Sequence, residues 1–326
     1  MSFRSVFVNC KVLYHSHCVE HLTKLIWRTE MNLRTLMSSL IVGSVLLTGP
    51  ALAKATPDKN TPAHKQTQIQ LVRNATLKIS YADTTFLLDP MLAKKGAYPG
   101  FEGTYRSTLR NPLLELPMSV DEVISGVDAI IVTHTHLDHW DEAAQQLLPK
   151  DLPIFVQHEA DAALIKSQGF KQVTVIHDRT EFEGITVTKT GGQHGTDEMY
   201  AVPQLAALLG EAMGVVFEAP GYKTTYVVGD TIWNGVVEQA LNKHQPEVVI
   251  LNTGYAQLEG FPNSIIMGKE DVTRTKNIAP KATIIGVHMD AVNHAALSRK
   301  ELREFVKANN LTRSVKVPND GEILKL

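Results

Sequence analysis

The densest chemistry in the chain is the segment His134-Thr135-His136-Leu137-Asp138-His139, three imidazoles and a carboxylate within six residues. Taken out of water together these groups are costly to desolvate, and a bound cation removes that cost. The segment directly follows an apolar run at 128–133, a predicted buried strand, so it stands where a strand meets solvent. In extended backbone, residues two apart point the same way. His134 and His136 therefore converge on one ion, and Asp138 and His139, beyond the bend, face a second. One segment cannot close two sites. His194 in Gly191-Gly192-Gln193-His194-Gly195, Asp230 in Val227-Val228-Gly229-Asp230, and His288 after the strand predicted at 283–287 recur at strand ends and are the candidates for the remaining ligands. The carboxylate of Asp230 is suited to bridge two ions.

Two divalent cations a few ångströms apart lower the pKa of a shared water, so that hydroxide is available near neutral pH to attack a carbonyl carbon or a phosphorus. Asp138, Asp230 and His294 are the catalytic candidates. His294, in Asp290-Ala291-Val292-Asn293-His294, either orients substrate or donates a proton to a leaving group. Asp89, ending Phe86-Leu87-Leu88-Asp89-Pro90, either supports the site from behind or caps a turn. Trp233, Asn234 and Tyr255 are candidates for the pocket mouth, with packing as the alternative role for the indole. Neither a Gly-x-Ser-x-Gly elbow nor a glycine-rich phosphate loop is present.

The elements that position these residues alternate in type. Short runs rich in β-branched residues at 69–72, 76–81 and 85–88 predict strands laid down early. Residues 91–118, rich in Gly, Pro and aromatics, predict a long loop over a site. Strands then alternate with helices: strands at 128–133, 154–157 and 173–176, helices at 141–148 and 159–168. A second set follows, with strands at 185–190, 215–218, 224–228, 247–251 and 283–287. Its helices are predicted at 235–243, 269–278 and 298–308, the last capped by Ser298 with Glu301 three residues on. The insertion at 196–213, with Tyr200 and Pro203 among several Leu and Ala, is open between a lid, a membrane-facing patch and an oligomer contact.

The amino terminus predicts processing. Arg34 after Met31, an apolar stretch at 36–47 and Ala51-Leu52-Ala53 give the three-part layout of a secretory signal at 31–53, cleaved after Ala53. The stretch is short for a membrane span, which takes about 20 apolar residues. Residues 1–30 are then an upstream extension, and their Cys10, His15, His17, Cys18 and His21 lack the paired spacing of a zinc finger. A flexible leader is expected at 54–68 and one hydrolase domain at 69–326. A periplasmic or secreted protein follows, with no stable membrane insertion after cleavage. The net charge of −2, with no basic run, gives no footprint for nucleic acid, so the partner is a small-molecule substrate, and oligomerisation stays open.

The segment His-x-His-x-Asp-His, followed by isolated His, Asp and His at strand ends, resembles the metallo-β-lactamase superfamily, and the likeness runs from about Ile69 to Lys307. The similarity is nearest to the ascorbate-6-phosphate lactonase-like branch and to the phospholipase D-type phosphodiesterases of that fold. It implies an α/β fold, an αββα sandwich of two packed mixed β-sheets flanked by helices. It also implies His134, His136 and His194 on one metal, Asp138, His139 and His288 on another, and Asp230 between them. The metals would be two divalent ions, zinc by default with manganese or iron as alternatives. The implied activity is hydrolysis of a lactone, ester or phosphodiester. β-Lactamase activity, a redox protein and a non-catalytic metal binder on the same fold are the alternatives.

Overall fold

The computed structural model describes residues 65–326, and the signal, the upstream extension with its His/Cys group and most of the leader lie outside them. The chain is tied to the fold from Lys65, whose N–H donates to the Gly221 carbonyl, and Thr67 exchanges two backbone hydrogen bonds with Leu326.

The strands predicted early form the first sheet: β1 (Gln68–Arg73), β2 (Thr76–Tyr81) and β3 (Thr84–Leu88) run antiparallel. Parallel strands β4 (Ala129–Val132), β5 (Pro153–Val156) and β6 (Gln172–Val175) extend it. All four residues of β4 are buried, as expected of a parallel strand covered on both faces. The second sheet has the mirror arrangement. Strands β7 (Arg179–Phe182), β8 (Ile185–Thr190), β9 (Gly214–Glu218) and β10 (Thr225–Val227) are antiparallel, and β11 (Val248–Asn252), β12 (Thr283–Val287) and β13 (Val315–Lys316) continue in parallel from β10. The final strand, β14 (Ile323–Lys325), crosses back to pair with β1.

Alternation along the strands directs Leu77, Ile79, Phe86 and Ile131 of one sheet against Val187, Val215, Phe217 and Ile250 of the other, so the central core lies between the sheets. The helices cover the outer faces. Helices α1 (Val120–Ile124), α2 (Glu142–Leu147) and α3 (Glu159–Ser167) pack on the first sheet around Trp140 and Ile165. Helices α6 (Gly235–His244), α7 (Lys269–Ile278) and α8 (Arg299–Ala308) pack on the second around Val237, Val272 and Leu302. This is the expected αββα sandwich. The capping box of Ser298 and Glu301 forms at the start of α8. In the insertion at 196–213 the chain folds into two short helices, α4 (Asp197–Tyr200) and α5 (Pro203–Leu209).

The loop at 91–118 is fastened rather than loose. Arg73, fully buried, donates to the carbonyls of Met91, Ala93 and Leu114 at 2.7–2.9 Å. Burial lowers its guanidinium to about 10, against the pull of Asp141, Asp320 and Glu115. Arg73→Met should strand those carbonyls and cost about 3 kcal/mol or more, read as a lower urea midpoint.

Candidate metal centre

The neighbouring parallel strands β3 and β4 end side by side, with Leu88 opposite Ile131. Asp89 follows β3 with a positive φ of 45°. One of its oxygens accepts the Thr133 backbone N–H at 2.7 Å, and the other accepts the Thr133 hydroxyl at 2.7 Å and Nδ1 of His139 at 2.9 Å. Asp89 therefore supports the site, the first of its two expected roles. Beyond Thr133 the chain bends, with the N–H groups of His139 and Trp140 both donating to the His136 carbonyl, and the buried Trp140 indole anchors the bend in the first sheet's outer core.

The bend and three further strand ends bring the seven candidate ligands together. The His134 and His136 rings lie 4.5 Å apart, and that of His194 is within 5.4 Å of both. One carboxylate oxygen of Asp230 sits at the middle, 3.1 Å from His139 Nε2, 3.6 Å from His288 Nε2, 3.7 Å from His194 Nε2 and 3.9 Å from His134 Nε2. Asp138 Oδ2 lies 3.3 Å from His288 Nε2 and 3.8 Å from His139 Nε2. Two of the groupings with donor atoms close enough to share an ion are His134/His136/His194 and Asp138/His139/His288; a third joins His134, His139 and Asp230.

Hydrogen bonds on the far side of each ring decide which nitrogen faces inward. His134 Nδ1 is held by the Thr133 hydroxyl at 3.2 Å, His139 Nδ1 by Asp89, and His194 Nδ1 donates to the Ile265 carbonyl at 3.0 Å. Each leaves Nε2 as the nitrogen that faces the centre and could bind an ion. His136 is reversed: Nε2 donates to the Leu208 carbonyl at 2.9 Å, which leaves Nδ1.

Metal binding fits this set. His134 Nε2 and Asp138 Oδ2 are buried with no hydrogen-bond partner, and the Nε2 atoms of His139 and His288 face each other at 3.1 Å. Buried, unsatisfied donors and acceptors of this kind are expensive unless an ion meets them.

The protonation states of the metal-free cluster follow from burial and neighbours. Burial, with the His139 and His136 charges, holds His134 well below the ordinary imidazole value. Burial likewise lowers His194 and His294 to about 4. Burial also opposes charge on His139 and His288, but the surrounding carboxylates, Asp230 foremost, outweigh it. They raise His139 well above its ordinary value and His288 to about 9. For Asp138 and Asp230 burial favours the neutral acid, and the imidazoles, His139 first, overcome it and hold both well below the carboxylate range. A metal must therefore displace protons at neutral pH. Its affinity should rise with pH up to about 9, by roughly tenfold per unit for each proton displaced. Calorimetric titrations in two buffers of different ionisation enthalpy would count those protons.

Three asparagines hold the ligand loops; the sequence reading passes over Asn74 and Asn252, while Asn293 reads from sequence as a turn cap. Asn252, ending β11, donates to Asp230 at 2.6 Å. Asn74, in the β1–β2 turn at φ 59°, donates to the Asp138 carbonyl at 3.0 Å and accepts the His288 N–H at 2.9 Å. Asn293 ties the 91–118 loop to the His288–His294 loop through Phe101, Thr104, Tyr105 and Asn111. Their signal in sequence is only that of polar residues near strand ends. Gly229, at φ +75°, lets the chain turn into Asp230, since a Cβ there would stand 2.3 Å from the Met213 carbonyl oxygen.

A cavity of about 390 Å³ opens on the cluster. Phe101, Leu137, Leu208, Leu209, Leu258 and Ile265 wall it, with Glu102 and two Thr, and no Lys or Arg is among the described lining residues. His294 lines it too, its ring edge-on to Phe101 and its Nε2 3.7 Å from Asp138. The other mouth candidates are elsewhere. Trp233 packs on the second sheet's helices and donates to Glu238, and Asn234 caps α6, because α6 starts directly after them. Tyr255 lines a separate depression with Lys269 and Glu301.

Comparison with known proteins gives concordant likenesses. A family model described as the beta-lactamase superfamily domain matches residues 84–289. The UPF0173 protein YddR of Bacillus subtilis is 48% identical over 254 residues, 78% of this chain and 98% of that one. A crystal structure of a possible metal-dependent hydrolase from Veillonella parvula is 55% identical, with a TM-score of 0.80 over 80% of this chain and 100% of that one. A crystal structure of an isothiocyanate hydrolase from Delia radicum gut bacteria is 49% identical, with a TM-score of 0.76 over 79% of this chain and 98% of that one.

Proposed function

We propose, for a metal-dependent hydrolase that belongs to the beta-lactamase superfamily and to its UPF0173 family, that the His/Asp centre holds two divalent cations and cleaves a small uncharged compound at an electrophilic carbon. The cavity carries this reading. Apart from the ions themselves, the lining offers no cationic side chain to an anionic phosphodiester or to the carboxylate of a β-lactam, and Leu208, Leu258 and Ile265 would strip water from any charge held away from the centre. An isothiocyanate, R–N=C=S, makes no such demand, and neither does a lactone or a simple carboxylic ester. The relative described as an isothiocyanate hydrolase favours the first.

His134, His136 and His194 would hold one ion, Asp138, His139 and His288 the other, and Asp230 reaches both groups. Zinc suits this donor set best. When bound, the ions supply hydroxide near neutral pH and draw off negative charge from the attacked group. In the overall reaction the oxygen of water bonds to the central carbon, the C–N bond breaks and both protons end on nitrogen, giving R–NH2 and O=C=S. The chain's own residues serve the same steps. Phe101, Leu258 and Ile265 hold the apolar tail and exclude bulk water. His294, which burial keeps neutral and whose Nε2 lies beside Asp138, relays a proton from the attacking water to the leaving nitrogen. Asp230 holds the imidazoles of both groups in place.

Export is part of the proposal, on the three-part signal at 31–53. Among the described residues no helix is long and apolar enough to cross a membrane. The test is metal analysis of the purified protein with a panel of isothiocyanate, lactone, nitrophenyl ester, bis-nitrophenyl phosphate and nitrocefin. About two metals per chain and turnover confined to the neutral carbon electrophiles are expected. Preference for the phosphodiester would sink the substrate reading, and a mature chain beginning at Met1 would sink the export reading.

A further inference from the structure

We propose that Leu208 latches the α4–α5 segment to the metal centre and sets the size of substrate the cavity admits. Its side chain stands in the apolar wall, 56% exposed, while its carbonyl accepts the hydrogen bond from His136 Nε2. One residue thus faces the substrate space with its side chain and orients a metal ligand with its backbone. The carbonyl also fixes Nδ1 as the nitrogen of His136 that can bind an ion.

The other ties of the segment end on the loop that carries His194. The Tyr200 hydroxyl donates to the Gly210 carbonyl at 2.8 Å and accepts the His194 N–H at 3.3 Å. Gln193 donates to Asp197 at 2.8 Å. Leu209 packs so closely on Gly195 that a Cβ there, at φ +136°, would stand 2.9 Å from its Cδ1. The segment therefore rests on His136 and on the His194 loop, two members of one three-histidine group. An ion bound by that group fixes both anchors at once. By linkage, whatever seats the segment also strengthens ion binding, and a substrate that props Leu208 outward weakens it.

The latch stands on geometry alone, and the role in substrate size rests on the hydrolase reading above. Hydrogen exchange of the purified protein with and without zinc tests the first. Amides at 204–210 should slow by about fivefold or more on zinc binding, the low end of ordinary coupling between sites, together with those around His134–His139. Slowing confined to the latter overturns the latch. Leu208→Ala keeps the carbonyl and removes the wall, so zinc affinity should stay within about threefold. Meanwhile the kcat/KM ratio of benzyl to methyl isothiocyanate should rise by ~10-fold, the scale on which a hydrophobic pocket discriminates by size. An unchanged ratio overturns the size role, and a collapse of zinc affinity in this variant overturns the assignment to the carbonyl. The same ratio is read in parallel on nitrophenyl hexanoate and acetate. If neither isothiocyanate is turned over, the isothiocyanate reading fails while the ester ratio and the exchange data still judge the latch.

Discussion

Asp230→Ala is expected to lower kcat/KM by ~10³-fold or more, since it removes the carboxylate that reaches imidazoles of both outer groups and with it several kcal/mol of charge stabilisation. The metal-free protein should suffer as well. Asp230 is the nearest counter-charge to the Nε2 atoms of His139 and His288, which face each other at 3.1 Å and both of which favour the protonated form. Removing it should cost about 3–5 kcal/mol of stability. The pH dependence has a definite sign. In the parent, stability from His288 is fully present below its ordinary value of 6.5 and is lost as pH rises through about 9. Stability from Asp230 is present above 3.8 and is lost as pH falls through its depressed value. The difference between parent and variant should therefore be widest between those limits and shrink above pH 9. Urea titrations of chelator-treated protein at pH 6 and pH 10 measure it, and an equal difference at both would contradict the electrostatic account.

Asp89→Ala should weaken metal binding or activity by roughly 10–100-fold, the usual cost of losing a group that orients a ligand. Asp89 belongs to none of the donor groups, yet it selects the His139 tautomer and, through the Thr133 hydroxyl, that of His134. One carboxylate thus sets an imidazole in each of the two outer groups. Asp89→Asn retains an acceptor for Thr133 and should recover part of the loss. Zinc competition with a chromogenic chelator separates the three proteins. Equal affinities would reduce Asp89 to a turn residue.

The seven candidate ligands and the αββα architecture were legible because each rests on a local signal. Buried strands announce themselves by β-branched runs, and polar ligand residues directly after such runs are conspicuous. What escaped has no local signal or a weak one. Strand β7, Arg-Thr-Glu-Phe, is an edge strand with alternate residues exposed and only one apolar residue. Strands β13 and β14 are too short to show a period. Helices α4 and α5 lie in an insertion whose Leu and Ala residues fit several structures, and only Pro203 at the start of α5 marks a boundary. Helix α1 could have been found, since Ser119 and Glu122 spell the capping box that starts it. Asn74, Asn252 and Asn293 act through partners distant in sequence, which a linear reading cannot pair. Trp233 and Asn234 illustrate the opposite error, because closeness to Asp230 along the chain does not survive the turn into α6.

The pairing of β14 with β1 has a consequence for synthesis. Gln70 and Gly321, which hydrogen-bond across that junction, are 251 residues apart. At about 5–20 residues per second the ribosome leaves the outer edge of β1 open for roughly 10–50 s before its partner emerges. An open edge invites pairing with other nascent chains. Gln68 and Gln70 on β1 make this edge less attractive to strangers than an all-apolar strand would be. The first sheet of the nascent protein is thus completed only when β14 joins it, and loss of Ile323–Lys325 would be felt first at Gln68–Gln70.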